Sequence, residues 1–165
     1  MAILQKLKEH FSRDSVTLDL QDIQALILRS RPEPYVGVHA MLHFDEAAGA
    51  RNLLGRLAPH IASADNWSED LDFWIGAALS FEGLKALGVP DAQLKTFPLP
   101  FQQGMAARAE QLRDFGPNAP ENWEDVFKPG NCHLALTIYA VDDDALDKAC
   151  LLYTSDAADD SLRVD

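Results

Sequence analysis

The stretch Val36 to Phe44, VGVHAMLHF, decides the fold because it alternates strictly between two faces. Apolar residues occupy one face: Val36, Val38, Ala40, Leu42 and Phe44. This period of two predicts a half-buried strand. A helix of about four turns is predicted directly after it, with Asp45 as N-cap and Glu46 in the first turn. Its apolar positions recur at helical spacing until Pro59 stops it: Ala47, Ala50, Leu54 and Leu57.

Two further strands and a second helix are predicted downstream. Alternation from Leu71 to Leu79 indicates a strand that runs up to Ser80, which can cap a short helix ending at Gly88. A third strand is marked by Leu134, Leu136, Ile138 and Ala140. Asp142 then caps a helix predicted over Asp143 to Ala149.

The excursion between the second and third strands has two parts. A helix is predicted from Phe101 to about Arg113, with Met105, Ala109 and Leu112 along one side. Residues 115–131 are rich in Pro and Gly, yet predict an ordered loop because the apolar side chains among them need a place to pack: Trp123, Val126 and Phe127. Upstream of the first strand, Gln21 to Arg29 is predicted to be extended.

Without this excursion, the order is strand, helix, strand, strand, helix. The sequence therefore predicts an α+β, ferredoxin-like fold of the dimeric α+β barrel type: an antiparallel sheet with helices on one face, incomplete at the C-terminus because the fourth strand is lacking. That strand would pair beside Val36 to Phe44. Its loss removes about five backbone hydrogen bonds at roughly 1 kcal/mol each, against a whole-domain stability of about 5 to 15 kcal/mol. A marginally stable, aggregation-prone fragment is expected.

Four segments carry a family resemblance. The first is Phe101 to Trp123, FQQGMAARAEQLRDFGPNAPENW, with its Gly-Met-Ala-x-Arg-Ala core and Gly-x-x-x-Pro-x-x-Trp ending. The others are Asp22 to Arg29 (DIQALILR), Ala78 to Gly88 (ALSFEGLKALG) and His133 to Leu136 (HLAL). In order and spacing they resemble the N-terminal half of a dye-decolourising (Dyp-type) haem peroxidase. Ala25 stands where a Gly is common in that family, which indicates a divergent subgroup.

The resemblance implies an intact protein that oxidises an organic electron donor with hydrogen peroxide through haem b. It also implies the carriers of that chemistry: an Asp in a Gly-x-x-Asp-Gly motif, a distal Arg and a proximal His in the C-terminal half. No Gly-x-x-Asp-Gly occurs in the chain. No catalytic, cofactor-binding or metal-binding residue is therefore assigned, no haem is expected to be held by this chain, and it is expected to be inactive alone.

The last residues resemble something other than a protein family. CLLYTSDAADD, Cys150 to Asp160, resembles one reading frame of a transposase adapter used in sequencing-library preparation. The predicted organisation is an N-terminal extension at residues 1–20, a truncated ferredoxin-like domain of a Dyp-type peroxidase at residues 21–149, and an artefactual tail at residues 150–165.

Composition excludes several classes of partner. The net charge is −12 and the 14 basic residues form no run, so no nucleic-acid partner is expected. No apolar run reaches about 18 residues, so no membrane partner is expected. The start, MAILQKLKEHFSRD, lacks the features of a signal peptide, which predicts a cytoplasmic protein. A homo-oligomer is left open by the resemblance.

Individual polar residues have structural explanations. His39 and His43 lie roughly 13 Å apart on one strand face, too far for one metal ion. His133 is interpreted as a strand-end histidine bonded to backbone or water, and His10 and His60 as surface residues. Cys132 is interpreted as a small buried apolar residue. The acid groups at Asp45, Glu69 and Asp142 suit capping and solvation, and the three tryptophans suit packing: Trp67, Trp74 and Trp123.

Gly104, Met105, Arg108 and Arg113 carry the strongest resemblance. Their predicted roles are helix packing and an ion pair with neighbouring acids.

Two other functions stay open at this point. One is a ferredoxin-like binding or assembly module without redox chemistry. The weaker one is a metal-independent oxygenase or related enzyme of the dimeric α+β barrel type, for which His39 and His43 are the candidate pocket residues.

Overall fold

The computed structural model describes residues 18–29, 33, 35–68, 70–154 and 162–164. Its helices, in chain order, are α1 (Ala25–Leu28), α2 (Ala47–Leu57), α3 (Phe81–Ala86), α4 (Asp91–Leu94), α5 (Leu99–Gln103), α6 (Ala109–Leu112) and α7 (Asp143–Thr154). Its strands are β1 (Val36–Phe44), β2 (Phe73–Leu79), β3 (Leu134–Ala140) and β4 (Leu162–Val164). Short 3-10 turns lie at Leu20–Asp22, Ala58–His60, Ala106–Arg108, Gly116–Asn118, Pro120–Asn122 and Asp125–Phe127.

The strands form one antiparallel sheet in the order β2-β3-β1-β4. This confirms the ferredoxin-like α+β prediction, including the bounds of β1. The inner face of the sheet and the helices α2 and α7 share a core whose members are buried aliphatic and aromatic residues: Ala40, Leu42, Phe44, Leu53, Leu57, Ile75, Leu134, Leu136 and Ile138. Alternate burial along β3 follows the period of two that the sequence shows.

The sequence predicted that the fourth strand is lacking, but β4 occupies this position beside β1. β4 pairs with β1 through Leu42–Phe44 only. The sheet is thus incomplete in extent, because this edge covers three of the nine residues of β1. α7 likewise continues past Ala149 to Thr154, so the predicted helix end at Ala149 is wrong. The origin of residues 150–165 stays a prediction from the sequence.

Three local predictions are wrong. Residues 21–29 are not extended: they form a 3-10 turn and α1, and the Gln24 side-chain amide bonds the backbone N–H and carbonyl of Ala77 in the edge strand β2. Asp45 does not cap α2, which begins after Glu46 without a side-chain cap bond.

The prediction of a single helix over residues 101–113 is also wrong. The helical backbone breaks where Gly104 adopts φ +71°, and it ends where Arg113 adopts φ +64°, in the left-handed region. Met105 is therefore exposed rather than packed against a helix neighbour.

Candidate functional site

A large apolar cavity lies between the outer face of the sheet and the excursion at residues 98–130. Its volume is about 840 Å³, within the range of small-molecule sites. The floor is formed by small residues of the sheet and by the segment before β3: Ala78, Ala135 and Cys132. Ala78 and Ala135 are direct partners in the β2–β3 register, so their side chains share the outer face.

Aromatic side chains form the walls of the cavity. Phe81, at the start of α3, packs edge-on against Phe101 of α5, with ring centroids 5.8 Å apart. Trp123 and Phe127 come from the Pro/Gly-rich loop, and Trp123 Nε1 donates to the Asn118 carbonyl at 2.9 Å. Trp123 and Val126 are partly buried in this loop, as its apolar content predicted, whereas Phe127 is 53% exposed, so the packing prediction is wrong for that residue. The excursion thus gives the outer face of the sheet a wall that a bare strand pair would lack.

Local hydrogen bonds fix the inner end of the cavity. Ser80 Oγ accepts from the Gly83 backbone N–H at 2.9 Å, which confirms Ser80 as the cap of α3. The same hydroxyl donates to the Cys132 carbonyl at 2.8 Å. Gly83 is required here because a Cβ at this position would lie 2.1 Å from the His133 carbonyl oxygen. α3 is thereby held tightly against the segment that leads into β3.

Cys132 is partly buried, so its interpretation as a small buried apolar residue holds only in part. Its Sγ lies 3.8 Å from Met41 Sδ. Burial raises the pKa of the Cys132 thiol, an effect opposed by a hydrogen bond from the Leu42 backbone. At neutral pH the group is therefore a thiol, which is a weak nucleophile and a weak metal ligand.

No histidine among the described residues lines the cavity. His133 Nδ1 accepts from the Phe44 backbone N–H at 2.9 Å, which confirms His133 as a strand-end histidine bonded to backbone. Its ring stacks on that of His43, with centroids 4.2 Å apart. Burial lowers the pKa of His133, the neighbouring His43 lowers it further, and Glu82, the Gly130 backbone and Asp45 oppose the shift.

The other candidate residues lie apart from this pair. His39 Nδ1 is 3.0 Å from Thr137 Oγ1 on the outer face, and His60 lies in an exposed 3-10 turn. His10 and Glu69 lie outside the described residues.

Trp74 is 1% exposed and packs near Trp67, as predicted for a packing residue. Asp142 caps α7 through a 2.9 Å bond from the Ala145 N–H. Arg108 bonds the Gln111 amide at 3.3 Å, whereas an acid was predicted.

Tested against haem, the described lining does not fit. It contains no histidine and no arginine, so neither a proximal imidazole nor a distal cation is available from it. Cys132 is held as the thiol, and Met105 is 61% exposed. Over the described part of the chain, no group of three His, Cys, Asp or Glu side chains is arranged to hold a metal ion. No helix within that part is long and apolar enough to cross a membrane.

The fold and the cavity define the class of protein: a ferredoxin-like α+β unit with an apolar cavity on its open sheet face. Residues 47–161 match the family model described as the DyP dimeric alpha+beta barrel domain. The chain therefore belongs to the DyP family. The matched range ends inside the segment 150–165.

Solved structures agree in fold. A fungal DyP-type peroxidase from Auricularia auricula-judae superposes with a TM-score of 0.70 at 21% identity over 91% of this chain and 32% of that chain. A DyP-type peroxidase from Anabaena sp. gives 0.67 at 22% identity over 87% of this chain and 33% of that chain. The chain thus spans about a third of the length of these structures. No curated protein matches it.

Proposed function

We propose that this chain is the N-terminal domain of a haem-dependent Dyp-type peroxidase. The intact protein would oxidise organic electron donors with hydrogen peroxide through haem b, whose ligand and proton-transfer groups lie outside this chain. The family match over residues 47–161 is the observation that carries the proposal. The cavity lining supports a location of the haem ligand and the proton-transfer groups outside this chain, because its described residues offer neither an imidazole nor a guanidinium. A cytoplasmic location is part of this proposal.

The chain alone should then be inactive. Haem titrated into the purified chain is expected to give no stoichiometric Soret shift beyond that of a generic apolar protein. The His133→Ala and His43→Ala variants provide the control, since they should leave the spectrum unchanged. A one-to-one Soret band that either variant abolishes would contradict the proposal.

The second candidate is a ferredoxin-like binding or assembly module, and the open apolar cavity is the observation that favours it. A homo-oligomer is a prediction for both candidates. Light scattering and the haem titration do not separate the two candidates, because both predict a chain without haem and a peroxidase domain can also self-associate. The reading frame beyond codon 149 separates them, since only the peroxidase requires a second half. The oxygenase alternative is not supported, since His39 bonds Thr137 and the described residues that line the cavity include no histidine.

A further inference from the structure

We propose that residues 20–29 form a strap that closes the free edge of β2, with the Gln24 side chain in the place of a neighbouring strand. By this contact the strap prevents a second copy of the chain from adding its own β2 to the sheet. The proposal is independent of the peroxidase assignment, because it concerns only the edge of the ferredoxin-like unit and involves neither haem nor the cavity.

β2 is an edge strand without the residues that commonly protect such edges. Among the described strands it pairs with β3 alone, at the end of the order β2-β3-β1-β4. Its seven residues, FWIGAAL, include no charged residue and no proline, the residue types that block pairing at an edge. An uncharged apolar strand of this length can form a ladder with an identical strand. A second copy of this chain is therefore the partner that the edge would accept.

The Gln24 side-chain amide makes the two bonds that a neighbouring strand would make. Its Nε2 donates to the Ala77 carbonyl at 2.8 Å, and its Oε1 accepts from the Ala77 backbone N–H at 2.9 Å. A residue in an antiparallel strand exchanges the same pair of bonds with the residue opposite it. Another strand can therefore pair with Ala77 only after Gln24 has left.

Backbone hydrogen bonds hold the strap in place on both sides of Gln24. The Ile23 carbonyl accepts from the Ala64 N–H at 2.8 Å, and the Ala25 N–H donates to the Ala62 carbonyl at 2.7 Å. Gln24 itself forms an isolated antiparallel bridge with the segment between these two bonds. The position of the Gln24 side chain at the edge of β2 is thus fixed by the backbone that carries it.

An apolar contact adds to the polar one. Leu26 lies against β2 at Gly76, where a Cβ would be 3.1 Å from Leu26 Cδ1. The absence of a side chain at Gly76 therefore allows the strap to approach the strand closely. Two successive residues of β2, Gly76 and Ala77, are contacted by the strap, one through packing and one through hydrogen bonds.

Gln24→Met tests the proposal, because methionine has a similar length and can make neither bond to Ala77. In dilute solution, amide hydrogen exchange at Ala77 should become about tenfold faster or more. Sedimentation should give a dimer dissociation constant at least about tenfold below that of the wild type. Raising the concentration of the variant should restore protection at Ala77, because β2 of a second copy then pairs there.

Two further variants serve as controls. Gln21→Met makes the same change in the same strap, where the exposed Gln21 side chain bonds the Asp65 carboxylate rather than β2, and should leave both readouts unchanged. Gln24→Glu loses the donor to the Ala77 carbonyl but leaves a charge at the edge, which opposes strand pairing. It should therefore associate no more than the wild type. Unchanged exchange or unchanged self-association in Gln24→Met, or equal association of the Glu and Met variants, would overturn the proposal.

Discussion

His133 joins three elements of the fold through its own backbone and ring. Its N–H donates to the Leu42 carbonyl at 2.9 Å, its carbonyl accepts from the Ser80 N–H at 3.0 Å, and its ring accepts from the Phe44 N–H. Small changes at this residue therefore affect β1, β3 and the cap of α3 together.

Gly83 provides the sharpest steric test at the residue scale. Gly83→Ala would place a methyl group against the His133 carbonyl, so the free energy of unfolding should fall by about 1–3 kcal/mol or more. Gly55→Ala is the matched control, because nothing lies within 4 Å of its Cβ position in α2. That control should raise stability by about 0.5–1 kcal/mol through helix propensity. Urea unfolding of both variants measures the difference, and a neutral Gly83→Ala would refute the contact.

The lowered pKa of His133 predicts acid sensitivity. Since the unfolded chain binds this proton more readily, it takes up more protons than the folded chain between the ordinary pKa of 6.5 and the lower folded value. Stability from this group is complete above pH 6.5 and is lost as the pH falls through that window. Protonation would also place a proton on the nitrogen that accepts from Phe44.

His133→Asn isolates this effect, because its amide oxygen can still accept from Phe44 and does not titrate. Urea midpoints at pH 7.5 and 5.5 should diverge: the wild type should lose more stability than the variant. Parallel loss in both proteins would assign the acid sensitivity to groups other than His133.

At the scale of elements, the apolar edge of β1 depends on a short partner. Deleting residues 161–165 removes β4 and leaves Leu42–Phe44 unpaired on that side. The free energy of unfolding should fall by about 1–3 kcal/mol, and self-association should rise because a strand edge is exposed. A chain ending at residue 149 should be weaker still, since Cys150 and Leu152 pack against the core. An unchanged urea midpoint after the deletion, together with a monomeric 1–149 chain, would contradict the prediction that β4 stabilises and protects the edge of β1.

Periodicity predicted those elements whose burial is one-sided. β1 and β3 each place alternate residues in the core, so their patterns were sufficient to predict them. The region at residues 98–113 was different: a helical repeat of apolar residues is present, but Met105 lines the cavity, whereas Ala109 and Leu112 lie in the separate helix α6. The left-handed conformation at Arg113 is a tertiary outcome that no residue preference indicates.

The cavity could be predicted only in part. Trp123 and Phe127 in a Pro/Gly-rich loop signalled that the loop packs, but not against what. The floor at Ala78 and Ala135 depends on the β2–β3 register, and the role of Gly83 depends on a contact 50 residues away in sequence. Long-range pairings of this kind leave no local pattern.

At the scale of the whole molecule, the chain spans about a third of the length of the structures that it resembles. The chain covers 32% of the Auricularia auricula-judae structure while 91% of its own length superposes. The ferredoxin-like unit is therefore the part that this chain shares with the family. The groups that would hold haem and move protons are proposed to come from the remainder.

The most direct test is to sequence the source locus across codon 149 with long reads that use no transposase adapter. The account predicts that the reading frame continues after Ala149 into natural sequence encoding a Gly-x-x-Asp-Gly motif and, further on, a proximal histidine. A stop codon shortly after residue 149, or genomic DNA that encodes CLLYTSDAADD and then ends, would contradict it and favour the binding-module alternative.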